Sequence, residues 1–115
     1  MILSELKDKL LEVDPVVYYG MVDDSQREMV WDYTVFERTK IAFNQNKNSR
    51  SYFFKVHIIR ENFIPEGIEL AVIEKVCEIP GMRVSGDPTF QYVPKPNTNV
   101  VIEIMSIDFV LAVKG

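Results

Sequence analysis

Tyr52-Phe53-Phe54-Lys55-Val56-His57-Ile58-Ile59-Arg60 is the stretch that decides the fold. Successive side chains of an extended strand point to opposite faces, so Tyr52, Phe54, Val56 and Ile58 share one face while Phe53, Lys55, His57 and Ile59 share the other. The first set is apolar throughout and belongs against a core. The second is mixed. A strand of nine residues rises about 30 Å, longer than a small domain needs for its core.

Upstream, Trp31 to Arg38 alternates in the same way, with Trp31, Tyr33 and Val35 opposed to Asp32, Thr34 and Phe36. Between these two strands, Asn44 to Ser51 has no apolar side chain and is rich in Asn, Lys and Ser, as an exposed hairpin tip is. Trp31 to Arg60 therefore reads as a long ribbon reaching past the body of the domain, with Lys40, Lys47 and Arg50 near its far end. Before it, Val16 to Met21 is a β-branched and aromatic strand, and Asp23 to Glu28 is a polar turn. At the N-terminus Leu3, Leu6, Leu10 and Val13 recur at spacings of three and four, an amphipathic helix that Asp14-Pro15 ends.

Downstream, Pro65-Glu66-Gly67 opens a second helix whose stripe is Ile68, Val72, Val76 and Ile79, with Glu74 and Glu78 on its wet side; Pro80-Gly81 stops it. Met82 to Val84, Thr89 to Val93 and the long, nearly apolar Val100 to Val113 read as strands. The expected fold class is α+β: a mostly antiparallel four- to five-stranded sheet with two helices packed on one face, in the order α-β-β-β-α-β-β, with a long projecting β-hairpin. Neither an internal repeat nor a linker divides residues 1–115, which read as one domain.

Charge is segregated along the chain. Residues 38–60 carry Arg38, Lys40, Lys47, Arg50, Lys55 and Arg60 and no acidic residue, whereas the rest of the sequence carries 17 acidic and 7 basic side chains. A charge of +6 in one segment is thus set against −10 elsewhere, giving −4 in total. A chain so polarised can dock the basic part of one copy on the acidic part of another. The candidate subunit interface therefore pairs Lys40, Lys47 and Arg50 with Glu74 and Glu78, or with Asp23 and Asp24. The plainer reading of the same cations is a solvated edge kept from aggregating by its charge.

No catalytic motif is present. Glycine-rich phosphate loops, Gly-x-Ser-x-Gly elbows and His-Glu-x-x-His pairs are all absent. His57 is the single histidine and Cys77 the single cysteine, and a metal site needs three or four ligands, so neither a metal nor another cofactor is expected. The pattern predicts a protein that is not an enzyme. A pI near 5.0 argues against a dedicated nucleic-acid binder. Strand alternation likewise separates the contiguous aromatics Tyr52, Phe53 and Phe54, which cannot form one stacking platform. No apolar run is long enough to span a bilayer, no signal peptide opens the sequence, and one cysteine suits a reducing compartment.

The chain resembles the small tail-terminator and tail-completion (head–tail joining) proteins of long-tailed bacteriophages and prophages. The likeness runs over its whole length. It rests on the N-terminal helix leading into Val16-Val17-Tyr18-Tyr19, the long strand pair between Trp31 and Arg60, Ile64-Pro65-Glu66-Gly67 before a helix, and the last strand around Val101-Ile102-Glu103-Ile104. The resemblance implies a structural virion protein without catalytic residues. It implies a homo-oligomeric ring, commonly a hexamer, that caps the tail tube and meets the head connector, found in the virion and in the host cytoplasm during assembly. Its partners are then further copies of itself, the tail-tube protein and the connector, with no membrane and no sequence-specific nucleic acid. The alternative is a small ligand-binding or regulatory α+β domain with an apolar pocket beside the sheet.

Overall fold

The three long strands of the sheet outrun the helices that cover them, and the molecule is accordingly elongated, with principal extents of 52 × 26 × 23 Å. These features come from a computed structural model, which describes residues 2–20, 31–43 and 49–114. The described elements are α1 (Ile2–Leu11), β1 (Val17–Tyr19), β2 (Tyr33–Phe43), β3 (Ser49–Glu61), α2 (Ile68–Val76), β4 (Met82–Val84), β5 (Thr89–Pro94) and β6 (Val101–Lys114).

The class is α+β, as the pattern predicts, but the sheet has six strands among the described residues and the order is α-β-β-β-α-β-β-β. The three segments after α2 that read as strands are all strands, so the expected order, which counted two there, is one strand short. The sheet order is β1-β2-β3-β6-β4, with β5 also on β6. It is a mixed sheet, because β1 pairs parallel with β2, Val17 opposite Thr34 and Tyr19 opposite Phe36. A parallel pair needs a connection of a dozen or so residues, and the chain between Tyr19 and Tyr33 has that length. The polar turn expected at Asp23 to Glu28 lies outside the described residues.

β4 and β5 share one edge of β6. Val84 pairs with Phe109 and Thr89 with Ser106, so residues 85–88 on the edge stand against only 107–108 on β6. The Ser85 amide still donates to the Asp108 carbonyl at 2.8 Å. The two strands are thus one edge strand broken by a bulge, the kind of interruption that bends an edge. β2 carries a second irregularity, a register shift between Arg38 and Lys40.

The expected hairpin is instead the end of a three-stranded ribbon. β3 begins at Ser49, β2 runs on to Phe43, and β6 stays paired with β3 along its whole length, Ser49 opposite Lys114 and Glu61 opposite Ile102. The apolar character of β6 decides this: it supplies a long partner to the free side of β3.

The core lies between the helices and one sheet face. Leu6 and Leu10 of α1 and Val72 and Val76 of α2 pack on Phe36, Phe54, Val56, Ile58, Ile107 and Phe109. That matches the stripes read from spacing, although Val13 falls beyond the end of α1 and Ile79 beyond the end of α2. α2 also starts later than expected. Pro65 and Glu66 form a turn before it, and Gly67, at φ 92°, occupies its N-cap. A left-handed backbone there suits a residue without Cβ. On the far face, Tyr33, Val35, Ile59 and Ile102 form a second, smaller cluster with Tyr18 and Trp31 against it. β2 is therefore buried on both faces at Tyr33–Phe36, which is why simple alternation understates its burial.

The Asp14 carboxylate ties the end of α1 to the sheet. It is 3% exposed. Its Oδ2 accepts from Thr34 Oγ1 at 2.7 Å and from Arg60 Nη2 at 2.9 Å, and its Oδ1 accepts from the Val16 amide at 3.1 Å. Arg60 Nη1 also donates to the carbonyls of Ile59 and Tyr33. Arg60 thus belongs to a structural lock and is lost to the count of free basic charge.

Candidate assembly interface

Strand pairing assigns the paired ribbon residues to faces. Tyr52 packs against the main core, so its cross-strand partner Ile41, and with it Arg50 and Phe43, lie on the helix side. Beyond the helices this side becomes a bare shelf. Ile41 is 47% and Phe43 62% exposed, and the half-buried Leu111, which packs on the core, and Val113 continue the same row along β6. Arg38 and Arg50 stand at its margins: Arg38 Nε donates to the Tyr19 hydroxyl at 3.0 Å, and Arg50 Nε donates to the Tyr52 hydroxyl at 2.6 Å. Lys40 pairs with Phe53 and lies on the opposite face, its ammonium 4.6 Å from the Phe53 ring centre. Lys40 and Arg50 therefore cannot enter one flat contact together. Among the described residues, Arg38, Lys40 and Arg50 make no ion pair.

The other candidate residues are divided. Glu74 is exposed on α2. Glu78 is already engaged: Lys9 Nζ donates to its Oε1 at 2.7 Å and Lys75 stands 3.6 Å from its Oε2, which together hold its carboxyl below the usual range. Lys47, Asp23 and Asp24 lie outside the described residues. Spacing in the sequence finds the basic tip but misses Ile41 and Phe43, because the apolar residues of a strand that leaves the core look the same as those that stay in it.

A polar row crosses the far face. His57 Nδ1 is 2.7 Å from Ser106 Oγ, His57 Nε2 is 3.6 Å from Glu37 Oε1, and Lys55 stands 3.7 Å from Asp108 one row further along. The order carboxylate, imidazole, hydroxyl has the form of a nucleophile with its base. The backbone amides of β3 and β6 beside it are spent in the ladder, because both strands are paired on both sides here. The row links three strands. Cys77 caps the end of α2, half-buried, and burial pushes its thiol up. Among the described residues no group of three or more His, Cys, Asp or Glu side chains is placed to hold a metal ion. No described helix is long and apolar enough to cross a membrane.

The chain matches no protein-family model, and no curated protein matches it in sequence.

Proposed function

We propose that the chain is a structural assembly protein that works as a homo-oligomer. The specific role is the one its resemblance to tail-terminator and tail-completion proteins implies: a ring at the end of a phage tail tube, joining it to the head connector. One observation carries the reading. The ribbon projects beyond the core with Ile41 and Phe43 bare on one face and Arg38 and Arg50 beside them, neither paired with a carboxylate among the described residues. A sheet end of this kind gains little as a solvated surface; it is suited to burial against another chain.

Two measurements test this. Light scattering over a concentration series in low salt should show mass rising above the 13.3 kDa monomer. Deleting the gene in the phage or prophage that encodes it should leave heads and tails unjoined, with joining restored by the wild-type chain. A monomeric mass at every concentration together with normal joining in the deletion overturns the proposal.

A further inference from the structure

The shelf has a counterpart at the other end of the molecule. Asn62 N donates to the Val101 carbonyl at 2.7 Å, and Ile64 N donates to Glu103 Oε1 at 2.6 Å, which fixes the turn after β3 against the start of β6. Phe63, in that turn, is 70% exposed. Across β6, Phe90 and Tyr92 of β5 pair with Met105 and Glu103, share the helix-side face, and are both largely exposed. The Tyr92 hydroxyl donates to the Glu103 carboxylate, which raises the phenol above its ordinary value. Exposed Glu66 follows Phe63 by three residues, and exposed Asp87 precedes Phe90 by three. Neither forms an ion pair among the described residues. This patch is aromatic with acidic residues at its margins, Glu66 beside Phe63 and Asp87 in the bulge opposite residues 107–108 of β6, whereas the shelf is apolar and basic.

Distance keeps the two patches apart. On β6 the facing patch stands at Glu103 and Met105, opposite Tyr92 and Phe90, and the shelf ends at Val113, eight to ten residues away, about 27–34 Å at roughly 3.4 Å per residue. One copy cannot close on itself. Two patches that differ and complement one another join copies head to tail, and that contact closes into a ring or grows as a filament depending on its rotation.

We infer that the shelf of one copy (Ile41 and Phe43, flanked by Arg38 and Arg50) seats on the Phe63–Phe90–Tyr92 face of a second copy. The contact is heterologous: apolar groups are buried at its centre and the arginines meet Glu66 and Asp87 at its rim. This rests on the self-assembly proposed above and adds to it the two surfaces and the polarity of the contact. It also replaces α2 as the acidic partner. Glu78 is neutralised within its own chain, and Glu74 has only Leu70 as an exposed large apolar neighbour on its helix face.

The test uses two single variants of the full chain, Phe43→Asp on the shelf and Phe63→Asp on the facing patch. Both sites are exposed, so circular dichroism and the urea midpoint should match wild type. Each variant alone should lose about 30-fold or more in association, the scale of removing a central contact. Mixed one to one, they should form a dimer and stop there, because each pair retains a single intact contact. Phe90→Asp should repeat the behaviour of Phe63→Asp. If Phe63→Asp and Phe90→Asp assemble like wild type while Phe43→Asp does not, the facing patch is wrong and self-assembly through the shelf stands. If both arms lose assembly but the mixture stays monomeric, the contact is not head to tail. If wild type itself never leaves the monomer, the underlying proposal fails and takes this one with it.

Discussion

Replacing Asp14 with Ala should be among the most costly single changes outside the apolar core. The carboxylate accepts three hydrogen bonds, from the Thr34 hydroxyl, the Arg60 guanidinium and the Val16 amide. Thr34 is buried, and with Asp14 gone its hydroxyl has no acceptor from this side chain. Arg60, its side chain 15% exposed, keeps the carbonyls of Tyr33 and Ile59 but loses its counter-charge. Breaking a buried pair costs about 3–5 kcal/mol, and an unsatisfied buried hydroxyl adds about 1–3. Water can reach Arg60 in part, which argues for the lower end, about 4 kcal/mol in total. Asp14→Asn, which retains an acceptor for Val16 or Thr34, should cost about half of that. Urea denaturation followed by tryptophan fluorescence gives the difference, and the cycle with Arg60→Ala isolates the pair. A loss under about 1 kcal/mol for Asp14→Ala, or strictly additive effects with Arg60→Ala, refutes the claim that this network holds the end of α1 to the sheet.

Phe54→Ala, at the centre of the helix-facing core, should cost about 3–5 kcal/mol by the same assay; a loss below about 1.5 contradicts the packing described. Charge reversal separates the two faces of the ribbon: Arg50→Glu should weaken self-association while Lys40→Glu leaves it close to wild type, and equal effects rule out a one-sided shelf. The wild-type contact should loosen between 0.1 and 1 M salt as the Debye length shrinks from about 10 to about 3 Å. Glu61 is held below its ordinary 4.5 by hydrogen bonds from Lys95 and from the Trp31 amide. Its stabilising effect is therefore present above that value and lost as pH falls through the lowered one. Glu61→Gln should flatten the acid limb of stability against pH below about 4.5, and an unchanged limb refutes the assignment.

Periodicity in the sequence made much of the fold legible. The alternation from Tyr52 to Arg60 placed β3 and the face it turns to the core, and the spacing of Leu6, Leu10, Val72 and Val76 placed both helices on that face. Both readings depend only on the geometry of neighbouring residues. The charge split at residues 38–60 likewise belongs to the sequence alone. Pairing is a different matter, because hydrogen bonds between strands join residues far apart in the chain. Only the tertiary structure set β1 parallel to β2, ran β4 and β5 together as one bulged edge on β6, and made the hairpin three strands wide. Function divides along the same line. The cations of the tip can be read residue by residue, but whether Lys40 and Arg50 share a face depends on the register shift after Arg38. That Ile41 and Phe43 are bare, or that Arg60 is spent on Asp14, depends on where the helices end above the sheet, and no local pattern encodes that.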